Sequence, residues 1–112
     1  MEVEKFLEVA KDIDKKKKGK KEETEKLQKF FERFHLLNRA YLDKATFERA
    51  QESVSSMAEA IANTIGYLNE EITRLRNKGR KQPFENVELA QMQKTQKRNE
   101  MLMGEFLSGD QK

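Results

Sequence analysis

His35 follows Glu32 at the three-residue spacing that sets two side chains on one face of a helix. A Glu-x-x-His pair is half of a carboxylate-bridged di-metal centre in four-helix proteins, and the centre needs a second such pair. His35 is the only histidine of the 112 residues, so no metal is expected there. Asp12 and Asp14 have a two-carboxylate spacing found in magnesium and calcium loops, but the further oxygen donors are missing and four lysines follow directly. They read as a solvated face. No serine or threonine has a second histidine to activate it, and neither Gly66 nor Gly79 lies in phosphate-loop spacing. The chain therefore reads as non-enzymatic, with no cofactor and no small-molecule substrate expected. Met92, Met101 and Met103 suit either a pliable binding surface or irregular gaps in a core.

The side chains left to carry function are cationic. Lys15, Lys16, Lys17, Lys18, Lys20 and Lys21 form one run interrupted by Gly19, and Arg74, Arg76, Lys78, Arg80 and Lys81 form a second, with no acid inside either. If the fold brought both runs to one end, that end would attract polyanions and contact phosphates without reading sequence. Lys94, Lys97 and Arg98 would extend it along the last helix. The first run also suits a solvated linker or, in a eukaryotic host, a nuclear localisation signal.

Composition bounds the rest. A hydrophobic fraction of 36% against 38% charged residues gives a single domain with a thin core, which self-association would relieve. The absence of cysteine excludes a disulfide framework and a cysteine-based zinc site. No apolar run reaches 18 residues, and no apolar segment follows a basic start, so integral membrane association is not expected. The expected location is the cytoplasm, the nucleus if the source is eukaryotic, or the host cytoplasm if it is viral.

The positioning elements read as helices throughout. The stretch Asp43 to Lys78 is the most regular: Val54, Ala58, Ile61, Ile65, Leu68, Ile72 and Leu75 alternate at four and three residues along one seam. Asp43 suits an N-cap with Leu42 and Phe47 as a hydrophobic staple, which predicts one long helix from about Lys44 to Lys78, closed by a left-handed Gly79. Before it, residues 1–14 form a short acidic amphipathic helix, residues 15–21 a lysine-rich linker, and a helix from Glu22 presents Leu27, Phe30, Phe34, Leu37 and Tyr41. That helix falls out of phase with the long seam, so a break near Leu42 to Asp43 and an antiparallel hairpin of the two follow; the rival is one continuous helix from Glu22 to Lys78. A last helix begins near Pro83 and runs to about Leu107, with a frayed tail over residues 108–112. Its stripe of Leu89, Met92, Met103 and Phe106 has Gln96 and Asn99 at its centre, which are either exposed or a buried polar layer fixing register. The expected fold is thus all-α: an elongated antiparallel helical hairpin with two accessory helices, bundle-like or coiled-coil-like.

Two functions follow from this layout. One is a protein-interaction or regulatory module, an adaptor, inhibitor or assembly factor, in which Phe6, Leu7, Ala10 and Ile13 anchor the first helix in a partner's groove instead of packing on its own bundle. The alternative is sequence-nonspecific nucleic-acid binding by a basic end formed from residues 15–21 and 74–81. Membrane-surface association fits the lysine run, but no tryptophan or strongly hydrophobic helix supports it. Between Met57 and Leu68 the long helix is small or apolar around most of its circumference, which predicts a homodimer.

Overall fold

The computed structural model describes residues 3–16 and 20–108, with Lys20 described in its backbone only. Expectations resting on Lys17, Lys18, the Lys20 side chain and the tail beyond Ser108 lie outside these residues. The described chain is all-α: α1 (Val3–Lys15), α2 (Lys20–Leu37), α3 (Lys44–Ala50), α4 (Val54–Asn77) and α5 (Pro83–Ser108). They form an elongated bundle of 54 × 28 × 19 Å.

The long helix predicted after Asp43 is two helices. Asp43 does cap α3, its Oδ1 accepting from the Thr46 amide at 3.0 Å, and Leu42 and Phe47 both join the core. Seven residues later the helix stops, because Ser53 adopts an extended backbone and its Oγ accepts from the Ser56 amide at 3.0 Å to cap α4. The amides of Gln51 and Glu52 bond to the carbonyls of Glu48 and Arg49, so both sides of the break are satisfied locally. At the far end α4 closes without a left-handed glycine. Lys78 leaves the helix extended, at φ −72° and ψ 127°, and Gly79 does not adopt the left-handed conformation.

The break redirects the chain. At the end of α2, Asn38 bonds to Asn99 and Tyr41 lies by Tyr67 and Thr95, while further back Arg33 pairs with Glu105 and Phe30 stacks on Phe106. α2 therefore runs antiparallel to α5. α5 in turn runs antiparallel to α4, with Lys78 on Glu85 at one level and Asn69 on Gln96 at the next. An antiparallel hairpin does organise the fold, but its arms are α4 and α5. α2 lies parallel to α4, since α3 carries the chain back between them.

α4 is the central helix and packs against all four others. Met57, Ile61, Ile65 and Leu68 are fully buried, so most of the apolar circumference that pointed to a dimer is covered by the chain's own helices, with Ala62 half-buried and Tyr67 exposed. One core cluster gathers Phe6, Phe30 and Phe106, whose ring centroids lie 4.7 to 5.7 Å apart, with Phe31, Phe34, Leu27 and the first half of α4. A smaller cluster of Leu68, Leu75 and Met92 lies toward the hairpin loop. Polar side chains lie where α2, α4 and α5 meet. Asn38 and Asn99 exchange hydrogen bonds of 2.7 and 2.9 Å, Asn99 Nδ2 donates to Gln96 Oε1, and Gln96 Nε2 donates to Asn69 Oδ1 and the Ile65 carbonyl. Gln96 and Asn99 are thus a buried layer, and it registers helices within one chain instead of joining two copies.

Candidate functional site

Where α2 gives way to the turn at Tyr41, level with Tyr67, α4 and α5 continue as a two-helix prong. From Tyr67 to Lys78 is eleven residues, a projection of about 16 Å. The prong's own contacts, Leu68, Leu75 and Met92 with Ile72 and Leu89 beside them, hold the two arms together.

The tip of the prong is stitched by one carboxylate. Pro83 begins α5, which places Gln82 at the N-cap and Glu85 at the third helical position. Glu85 reaches back so that Oε1 accepts from the Gln82 amide at 2.8 Å and Oε2 accepts from Lys78 Nζ at 2.6 Å. The Lys78 ammonium, and after it the Gln82 amide, hold the Glu85 carboxyl below its ordinary pKa. Further up α4, Arg74 donates from Nη2 and Nε to Glu71 Oε1 at 2.8 and 3.2 Å, which lowers the Glu71 carboxyl and raises the Arg74 guanidinium.

These pairs sort the predicted basic residues of the loop. Arg74 and Lys78 are neutralised by Glu71 and Glu85, and Lys81 Nζ donates to the Lys78 carbonyl at 3.4 Å. Arg76, Arg80 and Lys81 make no ion pair among the described residues and give the tip a surplus of positive charge. Following them in sequence, on the first two turns of α5, Phe84 and Val87 are 67% and 70% exposed. Large apolar side chains this open, one helical turn apart at a projecting tip, are the features of an interface anchor. The outer stripe of α5 continues the positive charge through Lys94, Lys97 and Arg98 to Met101, itself 63% exposed.

The lysine run lies elsewhere. Lys16 pairs with Glu23 at 3.0 Å and Asp12 at 3.9 Å, which raises its pKa, and Lys15 and Lys21 are exposed close by. Glu23 precedes Phe30, which is level with Phe106, whereas the tip is level with Glu85. Counting seven residues on α2 and twenty-one on α5 separates the two basic groups by about 40 Å along the long axis. The expected joint basic end is not formed, because α2 runs parallel to α4. Of the four first-helix anchors, Phe6, Ala10 and Ile13 are buried in this chain's own core and only Leu7 stays accessible. Three of the four expected partner anchors are thus core residues in this fold, because α1 folds back onto α2 and α4.

His35 lies flat on Phe47, with ring centroids 4.1 Å apart. Among the described residues no group of three or more His, Cys, Asp or Glu side chains is placed to hold a metal ion, and no helix is long and apolar enough to cross a membrane. No family model, no curated protein and no solved structure matches this chain.

Proposed function

We propose that the protein is a non-enzymatic interaction module, an adaptor or assembly factor, whose contact surface is the tip of the α4–α5 hairpin. The observation that supports this reading most is the exposure of Phe84 and Val87 at the end of a projecting prong. Covering both side chains is worth about 3 kcal/mol of transfer free energy before association costs. The bundle serves as a rigid mount. Glu85 fixes the loop through Lys78 and Gln82, so little conformational entropy is lost when the tip docks. Arg76, Arg80 and Lys81 around the anchors favour an acidic partner surface and speed encounter. Nucleic-acid binding by one combined basic end is disfavoured by the separation of the two basic groups.

Crosslinking in the native host tests this. The wild-type chain is compared with Phe84→Asp plus Val87→Asp, both at exposed positions, and crosslinked peptides are mapped by mass spectrometry. A protein crosslinked at Lys78, Lys81 or Lys94 and lost in the double variant supports the proposal. Crosslinks that ignore the variant, or purification with nucleic acid absorbing at 260 nm and a steep salt dependence, would overturn it.

A further inference from the structure

We infer that the groove between α1 and α4 receives the hairpin tip of a second copy of this chain, so that molecules associate head to tail. The inference rests on the tip being the contact surface, and it names the tip's partner.

The groove encloses about 430 Å³. Ala10, Ala58 and Ala62 line it with short side chains, leaving room that larger apolar groups can fill, and Leu7 lies on it 38% exposed. Its charged lining is Glu8, Asp14 and Glu59 against Lys11, three negative charges and one positive, a net of −2. None of the four makes an ion pair among the described residues. The tip is the complement: two open apolar side chains, Phe84 and Val87, on a segment that carries Arg76, Arg80 and Lys81 against the exposed acid Glu88, a net of +2 once the Arg74–Glu71 and Lys78–Glu85 pairs cancel. An apolar, acid-rimmed groove and an apolar, base-rimmed tip are thus both left uncovered by the same chain.

They cannot meet within one molecule. The groove is bounded on α4 by Ser55 to Asn63, and the tip lies beyond Asn77, a further fourteen residues or about 21 Å along the same helix. The contact is therefore between copies and heterologous: each copy that docks its tip keeps its groove open for the next. One tip in one groove covers less than the roughly 1,200 Å² of a standard stable interface, so the association is weak and concentration-dependent. Its ionic part weakens with salt.

Sedimentation velocity of the full chain from about 10 μM to about 1 mM reads the outcome, a range that brackets weak specific association. The tip variant is Phe84→Asp plus Val87→Asp, and the groove variant is Glu8→Lys plus Glu59→Lys. All four positions are exposed, and circular dichroism checks the fold, with Phe84→Ser plus Val87→Ser as the milder tip variant. The wild type is expected to grow in mean mass with concentration and without a plateau, and each variant alone to stay monomeric. An equimolar mixture of the two variants restores one intact tip–groove contact and stops at a dimer. A wild type that stays monomeric throughout, association that survives in both variants, or a mixture that gives no dimer overturns the inference. A different protein crosslinked to the tip in the host would keep the tip as contact surface and remove only the second copy as its partner.

Discussion

Replacing Asn99 by leucine tests whether the buried polar layer sets the register of the bundle. Asn99 is 1% exposed, and its Nδ2 donates to Asn38 Oδ1 at 2.9 Å and Gln96 Oε1 at 3.1 Å. No other donor reaches either oxygen among the hydrogen bonds of the layer, so Asn99→Leu fills the space but leaves two buried acceptors unpaired. At about 1–3 kcal/mol for each orphaned group, the expected loss is about 2–6 kcal/mol. Asn38→Leu orphans Asn99 Oδ1 instead, while the Phe34 carbonyl keeps its bond from the Asn38 amide. The double variant removes both Asn38 Oδ1 and Asn99 Oδ1 and leaves only Gln96 Oε1 unpaired, so it is expected to cost less than the sum of the singles by two orphaned groups, about 2–6 kcal/mol. Urea unfolding followed by circular dichroism supplies the three free energies. Additive costs, or a single-variant loss below about 0.5 kcal/mol, would refute the claim that the layer acts as one network.

The local signals of the sequence carried through to the structure where they were chemical. Asp43 caps a helix, Pro83 starts one, and the seam from Val54 to Leu75 faces the core, with only Ile72 part exposed. The break at Gln51 to Ser53 was not legible because Ser53 caps through Ser56 alone, without the glutamate three residues on that marks a capping box. Missing it changed the topology, since a continuous helix after Asp43 runs back along α2 whereas α3 turns the chain a second time. The state of Gln96 and Asn99 was undecidable locally for a similar reason: Asn99 pairs with Asn38, 61 residues away in sequence, and Gln96 with Asn69, 27 residues away.

The site shows the same division. The loop cations were visible as charges, but the neutralisation of Arg74 and Lys78 by Glu71 and Glu85 depends on side-chain reach across a turn. Phe84 and Val87 had a usable signal. Extending the stripe of Met92 and Leu89 back by one more turn lands on Glu85, so the phase of α5 already points Phe84 and Val87 away from the core. For α1 the amphipathic pattern was clear, yet periodicity alone does not say whose core receives it; Phe30 and Phe106 do.

Three further outcomes follow from named contacts. Phe6→Ala removes a fully buried ring that packs against both Phe30 and Phe106 and is expected to cost about 3–5 kcal/mol in thermal or urea unfolding; a near-zero cost would mean that α1 is not part of the fold. Ser53→Ala deletes the α4 cap for about 1 kcal/mol, while Ser53→Asp retains it, and stabilities that do not separate the two would remove the capping account of the break. Glu85 and Glu71 both have carboxyls held below their ordinary values, first by hydrogen bonds from Lys78 and Arg74 respectively. A depressed folded-state pKa binds fewer protons than the unfolded chain, so each carboxylate contributes stability that is fully present above the unfolded value of about 4.3 and is lost as pH falls through the folded one. Glu85→Gln keeps an acceptor for the Gln82 amide but cannot titrate. Its unfolding free energy is therefore expected to fall less than that of the wild type between about pH 5 and pH 3, and equal acid slopes would show that the Lys78–Glu85 contact does not hold the loop.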